Sequence, residues 1–289
     1  MNKVAVFGGS NIDHIAKSNK RLNRHDSNIG KISSSLGGVG FNIASNLSYI
    51  GEKVIFFTAL GNDKYGEDIS QELSNNEIEV ISPSSKLPTA QYLAIHDENG
   101  TMDVAICDAS INSVMTIDFV EEHIEKLKEV EYVLIETNLE EKFIVDLVDT
   151  LKDKKIVVEG VSLAKVVKLK KVLDKVYLFK SNMKEAMEIT SKNNEEDAIQ
   201  NLIDLGVKNF VISNGKEDVI VYSSSKLTRI KVTHLDNIVN ETGAGDALIS
   251  GIMSSLNRGK SLVDSVKDGI LLSNKVLLIS SSHLSKKDL

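Results

Sequence analysis

Asn240-Glu241-Thr242-Gly243-Ala244-Gly245-Asp246, followed by Leu248, Ile252 and Leu256 at helical spacing, places small residues and one carboxylate at the start of a helix. Gly243, Ala244 and Gly245 carry little or no side chain, so three backbone N–H groups can converge on one anion while the helix dipole adds favourable potential. Asp246 brings a carboxylate to the same spot, where it can act as base for a hydroxyl attacking a phosphoryl group. The alternative is a glycine-rich helix start with an acidic first-turn residue, and this stretch alone does not separate the two. With an ordinary pKa of about 3.9 the aspartate is a weak base at neutral pH, so it must take its proton late in the transfer.

Three other clusters carry candidate chemistry. Asn182-Met183-Lys184-Glu185 follows the apolar run VYLFK, at the carboxyl end of a predicted strand where α/β ligand sites gather. Asn182 and Glu185 share one helix face and can orient water on Mg²⁺, or they can simply cap the helix. Asn11-Ile12-Asp13 follows the first strand and its Gly8-Gly9 turn, which lets Asp13 bridge two sugar hydroxyls. Gly37-Gly38-Val39-Gly40-Phe41-Asn42 opens the first long helix; its glycines can admit a neutral ligand to the backbone while Asn42 hydrogen-bonds it. Loop punctuation is the alternative for both.

Several motifs lead nowhere. Arg258-Gly259-Lys260-Ser261 ends like a phosphate-binding P-loop, but Ser254 stands where the first glycine belongs and a helix precedes it. Neither glycine cluster completes G-x-G-x-x-G, the histidines form no H-E-x-x-H, and one cysteine supplies no zinc site. Cys107, in an apolar run, is expected to be a small core residue.

The elements that must hold these residues follow from periodicity. VAVFG, then a helical stretch with Ile43, Leu47 and Ile50 on one face, then KVIFFTAL read as strand, helix, strand. The rhythm recurs with Val120, Ile124 and Leu127 before YVLIET, Phe143, Leu147 and Leu151 before KIVVEG, and Val166, Leu169 and Leu173 before VYLFK. Near-continuous apolar strands mark a mainly parallel sheet covered on both faces, a three-layer α/β fold. Two segments interrupt it, at about 12–35 and 88–108. In the second, Asn99-Gly100 between strand-forming runs signals a β-hairpin. It is either a cover over a ligand cleft or a surface flap without a role. No linker divides the 289 residues, so one domain over 1–289 with these insertions is expected.

A net charge of −7 without a basic block argues against nucleic acid, so an anionic ligand must be bound by local amides, a helix start or a cation. No apolar run is long enough to span a membrane, and a single cysteine with no signal-like start points to a cytoplasmic protein.

The order G-G-S-N-I-D, G-G-V-G-F-N, N-M-K-E, T-G-A-G-D over nearly the whole chain resembles the ribokinase-like, or PfkB, carbohydrate kinases. The glycine motif and the hairpin from Thr89 to Asp108 are most similar to the family's pseudouridine-phosphorylating members. Phe41, Ala109, Glu159-Gly160 and Asp218 depart from their usual pattern. The resemblance implies ATP-dependent phosphorylation of a ribose 5′-hydroxyl, with Asp246 as base and Gly243, Ala244 and Gly245 as anion hole. It also implies Asn11, Asp13, Gly38, Asn42, Asp108 and Lys165 toward the substrate, and Thr242, Ser213, Asn214 and Gly215 toward ATP. Asn182 and Glu185 are placed on Mg²⁺ through water. Other sugars or nucleosides, or a non-catalytic sensor of nucleosides, are the rival readings. A homodimer through the exposed edge of the hairpin insertion is a further expectation.

Overall fold

A computed structural model describes residues 3–233 and 235–286. From β1 (Lys3–Phe7) the chain forms β2 (Asn11–Ser18) and β3 (Gly30–Gly37), then passes through α1 (Val39–Tyr49), β4 (Val54–Phe57), α2 (Lys64–Asn75) and β5 (Glu79–Ile81). A hairpin of β6 (Ala90–His96) and β7 (Met102–Asp108) follows. After it come α3 (Ile117–Glu122), β8 (Val130–Glu136), α4 (Glu141–Thr150), β9 (Lys155–Glu159), α5 (Leu163–Val166), β10 (Leu178–Asn182), α6 (Met183–Thr190) and α7 (Glu195–Asp204). The last elements are β11 (Phe210–Ser213), β12 (Val219–Ser223), β13 (Lys226–Ile230), α8 (Ala244–Asn257) and α9 (Leu262–Leu277).

Nine strands form the main sheet in the order β13-β12-β11-β10-β9-β8-β1-β4-β5. It is parallel from β11 to β5, as the apolar runs require; β12 and β13 turn back antiparallel at one edge, which the sequence reading did not anticipate. Side chains alternate between two cores. Ala5 and Phe7 of β1 face a cluster completed by α4, α6 and α7, whereas Val4 and Val6 face one completed by α1 and α8. Burial on both faces is why these strands are apolar throughout. Two expected helices are shorter than their periodicity suggested: Ile117–Glu122 and Leu163–Val166 each break into a 3₁₀ turn, although Val120, Leu127, Val166, Leu169 and Leu173 are buried as expected.

Both interruptions join into a second, four-stranded sheet, β3-β2-β6-β7. Each hairpin is antiparallel, and β2 and β6 pair in parallel between them. The row Ser35–Asp13–Tyr92–Cys107 lies on one face, and Ile32–Ala16–Ile95–Val104 with Ser34–His14–Leu93–Ile106 on the other. Cys107 is exposed, contrary to expectation: β7 is an edge strand of this sheet and lies open along nearly its whole length, so an apolar run there does not imply burial. No helix among the described residues is long and apolar enough to cross a membrane.

Candidate active site

The carboxyl ends of β1, β8, β9, β10 and β11 meet the starts of α1 and α8. At α8, Gly243 is the N-cap with φ 83°, a conformation that favours glycine, and a side chain here would overlap the carbonyl of Ser282. The first helical hydrogen bond runs from Ala247 N–H to the Gly243 carbonyl at 2.9 Å, so the preceding amides lie outside the helical ladder. The Ala244 N–H leans on the Glu241 carbonyl at 3.4 Å. Of the three amides expected to meet an anion, that of Ala244 therefore has this long contact within the protein, and the Asp246 N–H joins them ahead of the first helical hydrogen bond.

Asp246 does not have the ordinary carboxylate pKa expected from sequence. Burial pushes it up to about 7, reinforced by the carboxylates of Glu136 and Asp13 and opposed by Asn42 and Lys180. Asn42 Nδ2 donates to Asp246 Oδ2 at 2.8 Å, and Ser282 Oγ donates to Asn42 Oδ1 at 3.1 Å. The Asn42 amide, expected to hold a sugar, is thus engaged at both ends within the protein.

Below the α8 start lies a buried ion pair. Lys180 Nζ sits 3.0 and 2.9 Å from the two carboxylate oxygens of Glu159, and a methyl added at Gly245 would come within 3.1 Å of it. Burial works against the Lys180 charge, but the carboxylates of Glu159, Glu185 and Asp246 outweigh it and hold the amine above its usual range. Burial in turn raises the Glu159 carboxyl.

Asn182 and Glu185 form a capping box. The Asn182 side chain accepts the Glu185 N–H, and Glu185 Oε2 accepts the Asn182 N–H, each at 2.9 Å. The capping alternative is thus realised, and it leaves the other Glu185 oxygen as a hard donor. Among the described residues no group of three His, Cys, Asp or Glu side chains could hold a metal by itself. This oxygen set fits Mg²⁺, which retains waters and binds through few protein ligands.

On the opposite wall, Asp13 Oδ1 accepts from Asn11 Nδ2 at 2.6 Å, and burial raises the Asp13 carboxyl against that hydrogen bond and the nearby His14. The glycines of 37–40 make room for protein, not chiefly for ligand. A side chain at Gly37 would overlap Asp13, and one at Gly38 would come within 2.7 Å of the Gly9 carbonyl. Lys165 Nζ is bonded to Asn138 Oδ1, and Asp108 caps its own turn by accepting from Ser110. Neither side chain reaches the others of the expected set through a hydrogen bond. Glu136, fully buried, accepts from the backbone N–H groups of Gly9 and Asn138 at 2.5 and 2.6 Å.

A cavity of about 540 Å³ adjoins the α8 start. Ser213, Gly215, Ala244 and Gly245 line it, with Val219, Val232, Leu248, Ile270 and Leu277 as apolar walls. Of the residues expected toward ATP, Ser213 and Gly215 are thus brought to Gly245. Asn214 and Thr242 are not among the lining residues, and the Thr242 N–H is held by Asn240 Oδ1 at 3.0 Å.

The pfkB family carbohydrate kinase profile matches residues 1–285. The chain belongs to the pfkB family. It is therefore a phosphotransferase with an alcohol acceptor, and its fold is ribokinase-like. It is 30% identical over 273 residues to a pseudouridine kinase of Escherichia coli, covering 91% of this chain and 87% of that one. It is 25% identical to a guanosine-inosine kinase of Exiguobacterium acetylicum, covering 98% and 97%. The structure of Arabidopsis thaliana ribokinase complexed with ribose and ATP superposes with a TM-score of 0.85 at 18% identity, covering 99% of this chain and 96% of that one.

Four residues that this pfkB kinase brings to the site had no site role in the sequence: Glu136, Lys180 and Ser282 were not singled out, and Glu159 stood out only as a departure from the family's pattern. Three of them share a signal. YVLIE and KIVVE end in, and LFKSN carries at its centre, a charge that a two-sided sheet cannot expose. Ser282 lies in a serine run with no distinguishing pattern.

Proposed function

We propose that this kinase transfers the γ-phosphoryl group of ATP to the ribose 5′-hydroxyl of pseudouridine, giving pseudouridine 5′-phosphate and ADP. The observation that carries the phosphoryl-transfer chemistry is the raised carboxyl of Asp246 beside the free amides of α8, with Asp13 facing it and the cavity alongside. The nucleoside is supported by likeness to the pseudouridine kinase and by the sheet row that sets Tyr92 beside Asp13, with Cys107 on the far side of Tyr92.

In this reading the hydroxyl oxygen bonds to the γ-phosphorus as the bond to the ADP oxygen breaks, and Asp246 takes the hydroxyl proton. A carboxyl with a pKa of about 7 is a far better acceptor than an ordinary aspartate. The amides of Gly243, Ala244 and Gly245, joined by that of Asp246, and the buried Lys180 charge stabilise the transferring group. Magnesium, held through water by Asn182 and Glu185, would neutralise charge on the nucleotide phosphates. Ser213, Asn214 and Gly215 lie toward the nucleotide, with Thr242 assigned to the same ligand from the loop before α8; Asn11, Asp13 and Gly38 lie toward the ribose, and Asp108 and Lys165 flank it. The small sheet excludes water over the sugar.

The opposite face of the small sheet exposes Ile32, Leu93, Val104 and Ile106. Such a patch suits a second copy of the chain, and light scattering of Ile106→Lys against the unaltered protein tests it: pairing predicts a dimer that the substitution splits. An exposed Cys107 fits a reducing, cytoplasmic setting.

The deciding experiment is a substrate panel with ATP: pseudouridine, uridine, cytidine, guanosine, adenosine, ribose and fructose. The highest kcat/KM is expected for pseudouridine. Turnover of another member with pseudouridine ignored would reject the substrate and leave the phosphotransferase intact.

A further inference from the structure

Among the described residues, the side chain hydrogen-bonded to the Asp246 carboxylate is that of Asn42, and it is itself held by another residue. Ser282 Oγ donates to Asn42 Oδ1 at 3.1 Å, which turns the Asn42 NH₂ toward Asp246 Oδ2 at 2.8 Å. An amide can face either way; the ionised carboxylate, which only accepts, selects the NH₂, and the Ser282 hydroxyl, donating to the amide oxygen left on the far side, holds the amide in that orientation. We propose that Ser282 and Asn42 are positioning residues for Asp246, a relay that orients the base through an amide held from its far side. The proposal deepens the reading above and rests on Asp246 as base.

The segment carrying Ser282 is anchored along its length. Asn240 Nδ2 donates to the Ser280 carbonyl at 3.1 Å, the Leu284 N–H to Asn46 Oδ1 at 2.9 Å, and the Lys286 N–H to Asn76 Oδ1 at 2.9 Å. His283 packs edge-on against Phe41, whose ring is fully buried. The Ser282 carbonyl lies against Gly243, the N-cap of α8. The segment thus ties α1, which carries Asn42, to the helix start that carries Asp246. Asn42 is 5% exposed, so solvent is poorly placed to replace a lost protein partner.

Removing the relay has a distinct signature. The Asn42 N–H favours ionised Asp246, against burial and the carboxyls of Asp13 on β2, Glu136 on β8 and Glu159 on β9, and alongside Lys180 on β10. Without it the base holds its proton to higher pH and is less well aimed. The test compares wild type, Ser282→Ala, Ser282→Thr and Asn42→Ala, using whichever panel substrate the wild type phosphorylates fastest. Expected for Ser282→Ala are a kcat lowered about 5- to 10-fold, an unchanged KM for ATP, and an acid limb of kcat/KM displaced to higher pH. Asn42→Ala should displace the limb further, and Ser282→Thr should restore both quantities. Retention of ADP binding, measured by calorimetry, and of the wild-type melting temperature shows that the fold is intact. A Ser282→Ala enzyme with wild-type kcat and limb overturns the relay, as does a uniform loss without displacement of the limb. A wild type that phosphorylates no member of the panel instead rejects the function, and calorimetric ADP binding then shows whether the nucleotide half of that reading survives.

Discussion

Two glycine runs open two helices in this protein, and they are used in opposite ways. Gly37, Gly38 and Gly40 are filled by the protein itself: Asp13 occupies the space beside the first, the Gly9 carbonyl that beside the second, and the Gly8 backbone that beside the third. Gly243 also meets protein, at Ser282, but Gly245 faces a cavity with a buried lysine beneath it. The first run brings the strand carrying Asp13 up to α1, whereas the second leaves an opening for a ligand. Composition alone does not distinguish close backbone packing from room for an anion.

The comparison breaks most sharply at Asp246. Asp246→Asn should lower kcat by about 10² to 10⁴ with nucleotide affinity little changed, read by steady-state kinetics and calorimetry; near-normal turnover would show that the second run opens onto nothing catalytic. Lys180→Met should weaken ATP at least about 10-fold while leaving nucleoside binding intact, since it removes a buried positive charge lying beneath Gly245, where the phosphates are proposed to bind. An ATP affinity equal to wild type would remove the cation from the site.

A matched pair of alanines sharpens the contrast. Gly40→Ala places a methyl 2.9 Å from Gly8 backbone atoms and should cost about 1–3 kcal/mol of stability, or about 3–10 °C in Tm. Gly245→Ala meets only the end of the Lys180 side chain and should leave Tm within about 3 °C while weakening ATP. Thermal melts and nucleotide titrations on both variants decide it, and equal melting losses would erase the distinction. The smallest effect is on pH. Asp246 must be ionised to accept a proton, so kcat/KM should rise through about pH 7. An inflection near 4 would mean that burial does not raise this carboxyl in solution.

Most of the fold was legible because a parallel sheet buried on both faces leaves unbroken apolar runs, and those of β1, β4, β8, β9 and β10 were plain. The antiparallel edge of β12 and β13 was not, because its strands alternate weakly and follow no helical period. The hairpin at Asn99-Gly100 was visible from its turn, while its partner at 12–35 was seen only as a polar interruption, since neither face of that sheet is fully covered. For the same reason Cys107 was misjudged. Of the site, Asp246, Asp13 and the capping pair could be found from local spacing. The Asn42–Asp246 bond joins residues 204 apart and Ser282 stands 240 from Asn42, contacts that no local pattern encodes. The raised Asp246 carboxyl arises from its surroundings and was invisible for that reason.

The Lys180–Glu159 pair has a consequence for how far this protein can be made to resist heat. Two charges taken out of water at the foot of a binding site stabilise a fold poorly, and apolar replacements of similar volume often gain about 1–4 kcal/mol. A chain carrying Lys180→Met together with Glu159→Leu should therefore outlast its parent on heating while losing its grip on nucleotide. A search for hardier variants that monitored folding alone would be drawn to that solution, and would discard the cation proposed to act on the nucleotide.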